Sequence, residues 1–283
     1  MTTAARRVAA IATDLSCQAV GRRAVIRAAR YVLTRARLDY PNDLSSNGES
    51  ALQRWVLGFP PTGEQIHVAD VGANVGRWSL SMLAAASRAG QDSDLRLHAF
   101  EPDPWAFARL ESALDGAPAS LSENALSDRP GNSTFHAVGP GAGTNSLYPQ
   151  PGASSATRRS VVTTTLDWYA EQCGVSRFAL VKIDAEGHDF AVLQGARGLL
   201  AAQRITVAQF EYNHRWILGR FFLRDAFEFL LPLGYLIGKL TPRGVEFYPG
   251  WDPDLETFAE GNYVACVPEA AAGLPAVAWW KSK

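Results

Sequence analysis

The stretch from Ile66 to Ala86 constrains the fold more than any other part of the chain. Apolar residues surround Asp70, glycines follow at Gly72 and Gly76, and the residues from Trp78 onward have the composition of a helix. A short apolar run that ends in a glycine-containing turn and opens a helix predicts a strand–loop–helix unit. Because glycine lacks a Cβ, its backbone can approach a ligand closely, and the helix N-terminus offers free N–H groups to a polar ligand.

The residues of this loop indicate which nucleotide-like ligand it binds. A dinucleotide fingerprint needs G-x-G-x-x-G, but Asn74 and Arg77 occupy the positions of its second and third glycines. A phosphate-binding loop needs Gly-Lys-Ser/Thr, which this stretch lacks. Glu101 follows the next predicted strand, Leu95–Phe100, at a position where a carboxylate can accept both hydroxyls of a ribose. The D-x-G-x-N-x-G loop together with this acid predicts an S-adenosylmethionine site.

Predicted strands and helices alternate through the central part of the chain. With helices over Arg77–Ala89 and Pro104–Leu114, this alternation is typical of a doubly wound, mostly parallel α/β sheet. The segment 130–160, rich in Gly, Pro, Ser and Thr, interrupts it, either as a flexible excursion or as a loop that covers the cofactor or shapes the substrate pocket. The predicted strands are Ile66–Val71, Leu95–Phe100, Ala119–Leu126, Val161–Leu166, Phe178–Asp184, Ile205–Phe210, Leu233–Ile237 and Asn262–Val267.

The N-terminus has a different character from the rest. Apolar residues recur at helical spacing over residues 20–38 and arginines occupy the other faces, which predicts a basic amphipathic helix. We expect a basic helical extension over residues 1–48 and a catalytic domain over residues 49–283. The helix either packs on the catalytic domain with a solvated arginine face, or contacts an anionic membrane surface, binds an acidic substrate or acts as a lid. The first 37 residues hold one acid, Asp14, and eight arginines, namely Arg6, Arg7, Arg22, Arg23, Arg27, Arg30, Arg35 and Arg37.

Charge and cysteine content narrow the class of protein. The whole chain carries a formal net charge of -1, so the part that follows the basic N-terminus is acidic, which argues against broad nucleic-acid binding. Cys17, Cys173 and Cys266 are scattered, without the spacing of a zinc or redox site, so we expect a cytoplasmic protein. No apolar run in the sequence is long enough to span a bilayer.

Acidic and polar residues end several of the predicted strands. Ligands of open α/β sheets bind beyond the carboxyl ends of the strands, so we expect these side chains to face one cleft. The residues concerned are Asp70, Glu101, Asp184 with Glu186, and Glu211 with His214.

Seven short motifs follow one another along the chain: Asp70–Gly76, Phe100–Asp103, Asn124–Asp128, Thr164–Asp167, Val181–Gly187, Val192–Ala196 and Phe210-Glu211. In this combination and order, the chain resembles the FkbM family of S-adenosylmethionine-dependent methyltransferases over roughly residues 65–215. The resemblance implies a Rossmann-like methyltransferase fold with a seven-stranded sheet whose last strand is antiparallel. It also implies O-methylation of a hydroxyl on a sugar, a polysaccharide or a secondary metabolite, with S-adenosylmethionine as the cofactor.

Methyl transfer requires an aligned acceptor oxygen and removal of its proton. Asp184 and His214 are the predicted candidates for the general base, and Glu211 and Lys182 are predicted to act beside them. The carboxylates either take the proton directly or hold a divalent cation that acidifies the hydroxyl, and the absence of a dedicated metal motif favours the metal-free route. The predicted cofactor-binding residues are Asp70, Gly72, Asn74, Gly76, Glu101, Asn124, Ala125 and Leu126.

Two other classes of protein compete with this interpretation. A nicotinamide-dependent oxidoreductase would bind its cofactor at the same edge of a similar sheet, but the missing Gly-x-Gly argues against it. A non-catalytic, methyltransferase-like binding module would keep the fold without the chemistry, and the acids retained at the strand ends argue against that alternative.

Overall fold

The computed structural model describes residues 2–39, 42–59, 65–150, 152 and 156–282. The chain divides into two compact units, Met1–Tyr40 and Pro41–Lys283. The domain boundary predicted at residue 48 stays a prediction, and residues 42–48 belong to the larger of these two units. Residues 40 and 41 lie outside the described residues.

The smaller unit holds two helices, α1 (Thr3–Val20) and α2 (Arg22–Ala36). The hydroxyl of Thr2 accepts a hydrogen bond from the backbone N–H of Ala5 and caps the first turn of α1. Gly21 separates the helices with a φ of 85°, a conformation that favours glycine. The helix predicted over residues 20–38 is present as α2. A further helix, α1, which was not predicted, precedes it, because an alanine-rich run with high helix propensity lies before the break at Gly21.

The described part of the larger unit holds eight helices, two of which begin with a side-chain cap. Asp103 caps α5 (Pro104–Ala113) and Thr165 caps α6 (Leu166–Gln172), each through a side-chain oxygen that accepts a backbone N–H of the first turn. These helices are α3 (Glu49–Val56), α4 (Arg77–Arg88), α5 (Pro104–Ala113), α6 (Leu166–Gln172), α7 (Asp189–Gly195), α8 (Arg197–Ala201), α9 (Leu223–Leu230) and α10 (Pro268–Ala271), with 3-10 turns at His214–Gly219, Leu231–Leu233 and Pro253–Leu255.

The strands lie between these helices. The central strand Phe178–Ile183 is buried along its whole length, as expected for a parallel strand covered on both faces. The strands are β1 (Ile66–Val71), β2 (Leu95–Phe100), β3 (Ala119–Ser122), β4 (Ala125–Leu126), β5 (Gly131–Ala137), β6 (Thr157–Thr164), β7 (Phe178–Ile183), β8 (Ile205–Tyr212), β9 (Leu236–Thr241), β10 (Gly244–Tyr248), β11 (Gly261–Cys266) and β12 (Ala276–Val277).

Among the described residues, nine strands form one sheet in the order β12-β10-β9-β11-β8-β7-β1-β2-β3. The strands β3, β2, β1, β7 and β8 are parallel, which confirms the predicted doubly wound α/β class. The antiparallel β11 lies between β8 and β9, which confirms the antiparallel last strand of the predicted seven. The strand order reverses between β1 and β7, and a ligand crevice is expected at such a switch point.

The predicted number of seven strands is too low, because β10 and β12 extend the sheet beyond β9. The chain turns back after β9, where the hydroxyl of Thr241 donates to the carbonyl of Gly244 and accepts the N–H of Arg243. This turn pairs β10 with β9 in antiparallel register. The predicted strand over residues 233–237 also begins later, at Leu236, because Leu231–Leu233 continue α9 as a 3-10 turn.

The strand predicted over residues 119–126 consists of two strands in different sheets. β3 extends the large sheet, whereas β4 pairs with β6 in a second sheet of order β4-β6-β5. The antiparallel pair β5 and β6 belongs to the segment predicted as an excursion over residues 130–160. This segment is thus a small sheet with a connecting loop, and its residues 151 and 153–155 lie outside the described part of the chain.

Candidate active site

A cavity of about 490 Å³ lies beyond the carboxyl ends of β1, β2, β7 and β8. This volume is within the range of about 300–1,000 Å³ that is usual for sites that bind small ligands. Gly72, Glu101, Asp184 and Glu211, each at or just beyond the end of one of these strands, all contribute to its lining. The fold therefore brings together acids that are distant in sequence, as the parallel topology predicts.

The loop after β1 forms the floor of this cavity. Gly72 has a φ of 76°, and a Cβ at this position would overlap the carbonyl oxygen of Asp184. The close approach between the loop and the end of β7 therefore requires glycine. Asn74, with a φ of 47°, also lines the cavity. Gly76 caps α4 and does not line the cavity, and a Cβ there would meet the side chain of Leu110 at 3.0 Å.

Glu101 connects this loop with the end of β2. One carboxylate oxygen accepts the backbone N–H of Asn74 at 2.8 Å, and the other accepts the N–H of Asp103 at 2.8 Å. Burial raises the pKa of Glu101 to about 7, although the two backbone donors favour the charged form. Glu101 thus has a pKa close to neutral pH. A buried carboxylate in a cavity wall is suited to accept hydrogen bonds from a pair of ligand hydroxyls.

The side of the cavity next to Glu101 is largely apolar. Ala125 and Leu126 are buried and line it together with Asn124, at the crossing from β3 to β4. Phe135 of β5, also buried, lines the same side. Apolar and aromatic walls with a few polar atoms are typical of sites for a flat heterocycle. Phe135 was not predicted as a site residue, since its contribution comes from the small sheet rather than from a strand end.

A buried charge cluster supports the opposite side. Lys182 lies 3.3 Å from Asp70 and 3.4 Å from Asp184, measured between the ammonium nitrogen and a carboxylate oxygen. The register explains both contacts, because Asp70 of β1 is paired with Lys182 of β7, and Asp184 projects from the same side two residues later. Burial alone would lower the pKa of Lys182, but the charges of Asp70 and Asp184 raise it above its ordinary value. Lys182 therefore stays protonated and compensates both carboxylates.

Asp70 does not line the cavity. Its side chain is fully buried, and the oxygen that faces away from Lys182 accepts a hydrogen bond from the hydroxyl of Ser79 at 2.7 Å. Ser79 belongs to the first turn of α4, so Asp70 connects the end of β1 with the helix that follows the loop. Asp70 was predicted to bind the cofactor, but this position is suited to orient the loop after β1 rather than to contact a ligand.

The far side of the cavity carries several carboxylates. Glu211 accepts hydrogen bonds from the side chains of Asn42 at 2.9 Å and Asn213 at 2.6 Å. Burial, together with nearby acids, raises the pKa of Glu211 well above its ordinary value. Glu186 forms an ion pair with Arg215 at 2.8 Å, and burial raises its pKa to about 8. This wall thus presents carboxyl groups that burial and mutual repulsion shift towards their neutral, protonated form.

His214 is not among the residues that line the cavity. It begins the 3-10 turn after β8, and its side chain is exposed. Asn213 caps this turn by accepting the N–H of Arg215, which directs Arg215 rather than His214 to the cavity. Two lining residues, Asn42 and Glu260, were not predicted either, because both come from segments remote from the strand ends that carry the motifs.

His188 lines the cavity and is held by a short chain of hydrogen bonds. The hydroxyl of Ser127 donates to Asp128 and lies 2.9 Å from the Nε2 of His188. Because the hydroxyl has a single proton, Nε2–H must donate to it, which leaves Nδ1 as an acceptor. Burial lowers the pKa of His188 to about 4, so the ring is neutral near pH 7. The buried Nδ1 has no hydrogen-bond partner among the described residues.

The loop between β5 and β6 covers the opening. The side chain of Asn145 donates to Asp103 at 2.6 Å, and the hydroxyl of Ser146 donates to the carbonyl of Glu186 at 2.8 Å. Gly141 packs against the ring of Trp105, where a Cβ would overlap the ring. This loop was predicted either as a flexible excursion or as a cover, and its contacts with two walls of the cavity favour the cover.

A second cavity of about 670 Å³ adjoins the first and shares Gly72, Asn74 and Asp184 with it. Its own lining includes Glu49 and Lys182. Arg77, at the start of α4, lines both cavities. Across the described ranges, no group of three or more His, Cys, Asp or Glu side chains is arranged to hold a metal ion. The metal-free route stays a prediction.

The pH dependence of stability tests the electrostatics of the site through Asp189. Its carboxylate is fully buried and accepts the N–H groups of Ala185 and Gly187, so it organises the turn after Asp184. Burial, with the charge of Asp184, raises the pKa of Asp189 to about 7 from an ordinary value of 3.8. Between these values the folded protein binds more protons than the unfolded chain, so the free energy of unfolding falls as the pH rises.

We therefore expect the free energy of unfolding to decline between about pH 4 and pH 7. The Asp189→Asn substitution should remove on the order of 3 kcal/mol of this decline. Urea denaturation at a series of pH values measures this slope. The exposed Asp92 provides a control, and Asp92→Asn should leave the slope unchanged. An unaltered slope in Asp189→Asn would show that its pKa is not raised in the folded protein.

The sequence of the chain is similar to sequences of known methyltransferases. The model of the Methyltransferase FkbM domain matches residues 70–237, which include the ends of β1, β2, β7 and β8. The chain is 27% identical over 147 residues to the hexuronic acid methyltransferase AglP of Haloferax volcanii, covering 50% of this chain and 54% of AglP. It is 27% identical over 194 residues to the 2-O-methyltransferase NoeI of Sinorhizobium fredii, covering 63% of this chain and 76% of NoeI. The chain thus spans about half the length of AglP and three quarters of NoeI.

Among solved structures, the chain is similar to the precorrin-6y C5,15-methyltransferase of Geobacter metallireducens, with a TM-score of 0.38 and 14% identity. That match covers 77% of this chain and 87% of the other. An S-adenosylmethionine-dependent methyltransferase of Agrobacterium tumefaciens matches with a TM-score of 0.40 and 10% identity, over 78% of this chain and 61% of the other.

Proposed function

The chain belongs to the FkbM methyltransferase family, as the sequence motifs predict, and from this premise we propose that it is an S-adenosylmethionine-dependent O-methyltransferase that acts on a saccharide hydroxyl. A hydroxylated secondary metabolite is the other acceptor class that the family resemblance implies. Two relatives support a sugar acceptor, since one is named for hexuronic acid and the other for 2-O-methylation. Membership of this family also argues against a nicotinamide-dependent oxidoreductase.

The observation that carries the proposal is the position of Glu101 between the Gly72 loop and an apolar wall. Each of its two carboxylate oxygens accepts one backbone N–H and can accept a further hydrogen bond, which suits a ribose. Asn124 to Leu126 with Phe135 are suited to an adenine. Gly72 and Asn74 would then hold the methionine part of the cofactor. Arg77, which lines both cavities, would pair with the methionine carboxylate. The residues present therefore fit S-adenosylmethionine.

When bound, S-adenosylmethionine supplies a methyl carbon activated by a sulfonium. In our proposal, Asp184 orients the acceptor hydroxyl and takes its proton, because its carboxylate lines the cavities and is held in place by its ion pair with Lys182. Glu211 orients the acceptor from the neighbouring strand. Lys182 acts on the site through Asp184, since its ammonium group is buried between two carboxylates. His214 loses its support as a base because its side chain is exposed.

Titration calorimetry with S-adenosylmethionine and with NAD tests the cofactor, and transfer of a labelled methyl group to a panel of hydroxylated acceptors tests the reaction. We expect binding of S-adenosylmethionine without binding of NAD, and labelled product from at least one saccharide. Cofactor binding without transfer to any hydroxylated acceptor would favour the non-catalytic binding module. Labelling of an amine or a thiol alone would overturn O-methylation.

Replacement of Glu101 tests its role towards the ribose. We expect Glu101→Ala to weaken binding of S-adenosylmethionine by about 1–3 kcal/mol, the cost of losing charge-assisted hydrogen bonds, which is about a fivefold to hundredfold rise in Kd. Titration calorimetry measures this change, with circular dichroism as the check of folding. The exposed Glu111 of the following helix is the matched control, and Glu111→Ala should bind as the unaltered protein does. Unchanged affinity in folded Glu101→Ala would remove Glu101 from the cofactor site.

The remaining predictions concern the domain boundary, the cellular location and the nucleic-acid binding of the enzyme. We propose that the methyltransferase domain extends over residues 49–283 and that residues 1–48 are an extension. A cytoplasmic location is supported by free cysteines at Cys17, Cys173 and Cys266. In the described part of the chain, no helix has the length and apolar content needed to cross a bilayer. The predicted absence of nucleic-acid binding stays a prediction.

A further inference from the structure

The helices α1 and α2 contain no buried residue. All their described side chains are exposed except those of Cys17 and Val25, which are half-buried. We propose that these two helices form a peripheral membrane anchor that lies on an anionic lipid surface. The proposal goes beyond the methyltransferase activity, and its test does not require turnover.

A row of large apolar side chains lies on one face of each helix. In α1, Val8, Ile11 and Leu15 follow one another at spacings of three and four residues, and 59–68% of each side chain is exposed. In α2, Ile26 and Leu33 are seven residues apart and are likewise exposed. Soluble proteins rarely leave a row of large apolar side chains open to water, so these faces require a partner that excludes water.

Three arginines of α2 form a stripe on another face. Arg23, Arg27 and Arg30 have the same spacings of four and three residues and lie on the side opposite Val25 and Ala29. An apolar stripe beside a cationic stripe is the pattern of helices that lie in the membrane interface, where apolar residues enter the acyl boundary and arginines meet lipid phosphates. Long arginine side chains can reach the headgroups while their stems stay against apolar surface.

The distribution of charge selects an anionic surface. The first 37 residues hold eight arginines and one acid, Asp14, whereas the whole chain holds 27 basic and 28 acidic residues. The rest of the chain therefore has an excess of acids and is repelled by an anionic bilayer. Attraction concentrates in the helices, and each basic residue near such a surface contributes measurably to binding. The enzyme would thus be held by its N-terminal helices alone.

Two other partners fit less well. A nucleic acid would use the arginines but leave Val8, Ile11 and Leu15 without a partner, because phosphate contacts need charge rather than an apolar stripe. A second copy of the chain could cover the apolar stripe but would bring two strongly cationic helix pairs together. A bilayer of anionic lipid offers acyl chains to the apolar stripe and phosphates to the arginine stripe.

Vesicle flotation with the full chain tests the proposal. The probes are vesicles of phosphatidylcholine alone and vesicles of equal parts phosphatidylcholine and phosphatidylglycerol. We expect binding to the anionic vesicles only, with a steep loss at high salt because the Debye length shortens. Replacing Arg23, Arg27 and Arg30 by Gln should lower the partition coefficient by about a hundredfold.

A second variant and a control separate charge from packing. Replacing Val8, Ile11 and Leu15 by Gln keeps every arginine and should also abolish flotation, since charge without apolar burial holds a helix weakly. The control removes three exposed arginines elsewhere, Arg54, Arg88 and Arg159, by substitution with Gln, and should float as the unaltered protein does.

Several results would overturn the proposal. These are absence of flotation, equal flotation with neutral vesicles, and an equal loss in the control. Sedimentation of the chain as a dimer whose formation needs Val8, Ile11 and Leu15, without flotation, would assign the helices to self-association. Retention of a mixed-sequence RNA in place of vesicles, lost with Arg23, Arg27 and Arg30, would assign them to nucleic acid.

Discussion

Replacing Asp184 by Asn is expected to lower the turnover number for methyl transfer by about a hundredfold or more, which is the usual effect of losing a general base. The affinity for S-adenosylmethionine should change little, because Asn has nearly the same shape and keeps the backbone contact with Gly72. The carboxylate of Asp184 lies 3.4 Å from the ammonium of Lys182 and lines both cavities. It is therefore a charged group available to an acceptor hydroxyl.

Single-turnover kinetics with a labelled methyl group measures the chemical step, and titration calorimetry measures the cofactor affinity. The exposed Asp92 is again the matched control, and Asp92→Asn should turn over normally. Repeating the assay with EDTA decides between the proton-transfer routes. Full activity in Asp184→Asn would remove Asp184 from the mechanism, whereas activity lost with EDTA and restored by Mg²⁺ would replace the metal-free route by one through a cation.

Replacing Lys182 by Met is expected to lower the free energy of unfolding by about 3–5 kcal/mol, the usual cost of removing one partner of a buried ion pair. The ammonium group lies between Asp70, which is fully buried, and Asp184. Without Lys182, the charge of Asp70 loses its compensation while its remaining hydrogen bond to Ser79 persists. Cofactor binding should weaken as well, because Asp70 and Lys182 hold the end of β1 beside the end of β7.

Urea denaturation measures the loss, and a double variant identifies its cause. If an uncompensated charge is responsible, Asp70→Asn combined with Lys182→Met should be more stable than Lys182→Met alone. Lys281, which pairs with Asp252 and Asp254 at the surface, is the control, and Lys281→Met should show no large change. A stability of Lys182→Met close to that of the unaltered protein would mean that the buried charges reorganise or neutralise.

The large sheet was predictable because its signals are local and strong. β1 and β7 are short apolar runs followed by polar loops, and such runs predict strands without knowledge of their neighbours. The parallel arrangement follows from the helices between them, and it places Gly72, Glu101 and Asp184 at one edge. The motifs of the family lie at these positions, so the residues predicted for the cofactor mostly lie beside one cavity.

The pairing of strands was less predictable. The sequence from Ala119 to Leu126 gives no sign of a break between strands. It divides into β3 and β4 only because these strands pair with β2 and β6 in different sheets. Strand β10 is five residues long and depends on the turn that Thr241 closes. Such features depend on tertiary context, which outweighs local propensity in strands.

The residues of the far wall show why a site cannot be completed from motifs alone. Asn42 precedes the first strand and Glu260 precedes β11, and neither belongs to a motif. The position of His214 two residues after the end of β8 predicted a side chain in the cleft. The cap by Asn213 turns the backbone so that the next residue, Arg215, takes that place. The backbone direction at the start of this 3-10 turn thus decides which of two neighbouring side chains lines the cavity.

The separate small sheet has a consequence for engineering. The cover loop between β5 and β6 is carried by a hairpin that shares no strand with the nine-stranded sheet. Its length and composition can change without shifting the register of the strands that hold Gly72 and Glu101, because surface loops tolerate insertion better than sheet interiors. A library confined to residues 139–148 therefore varies the mouth of the cleft without substituting Gly72, Glu101 or Phe135. In this architecture, new acceptors can be sought by exchanging one loop.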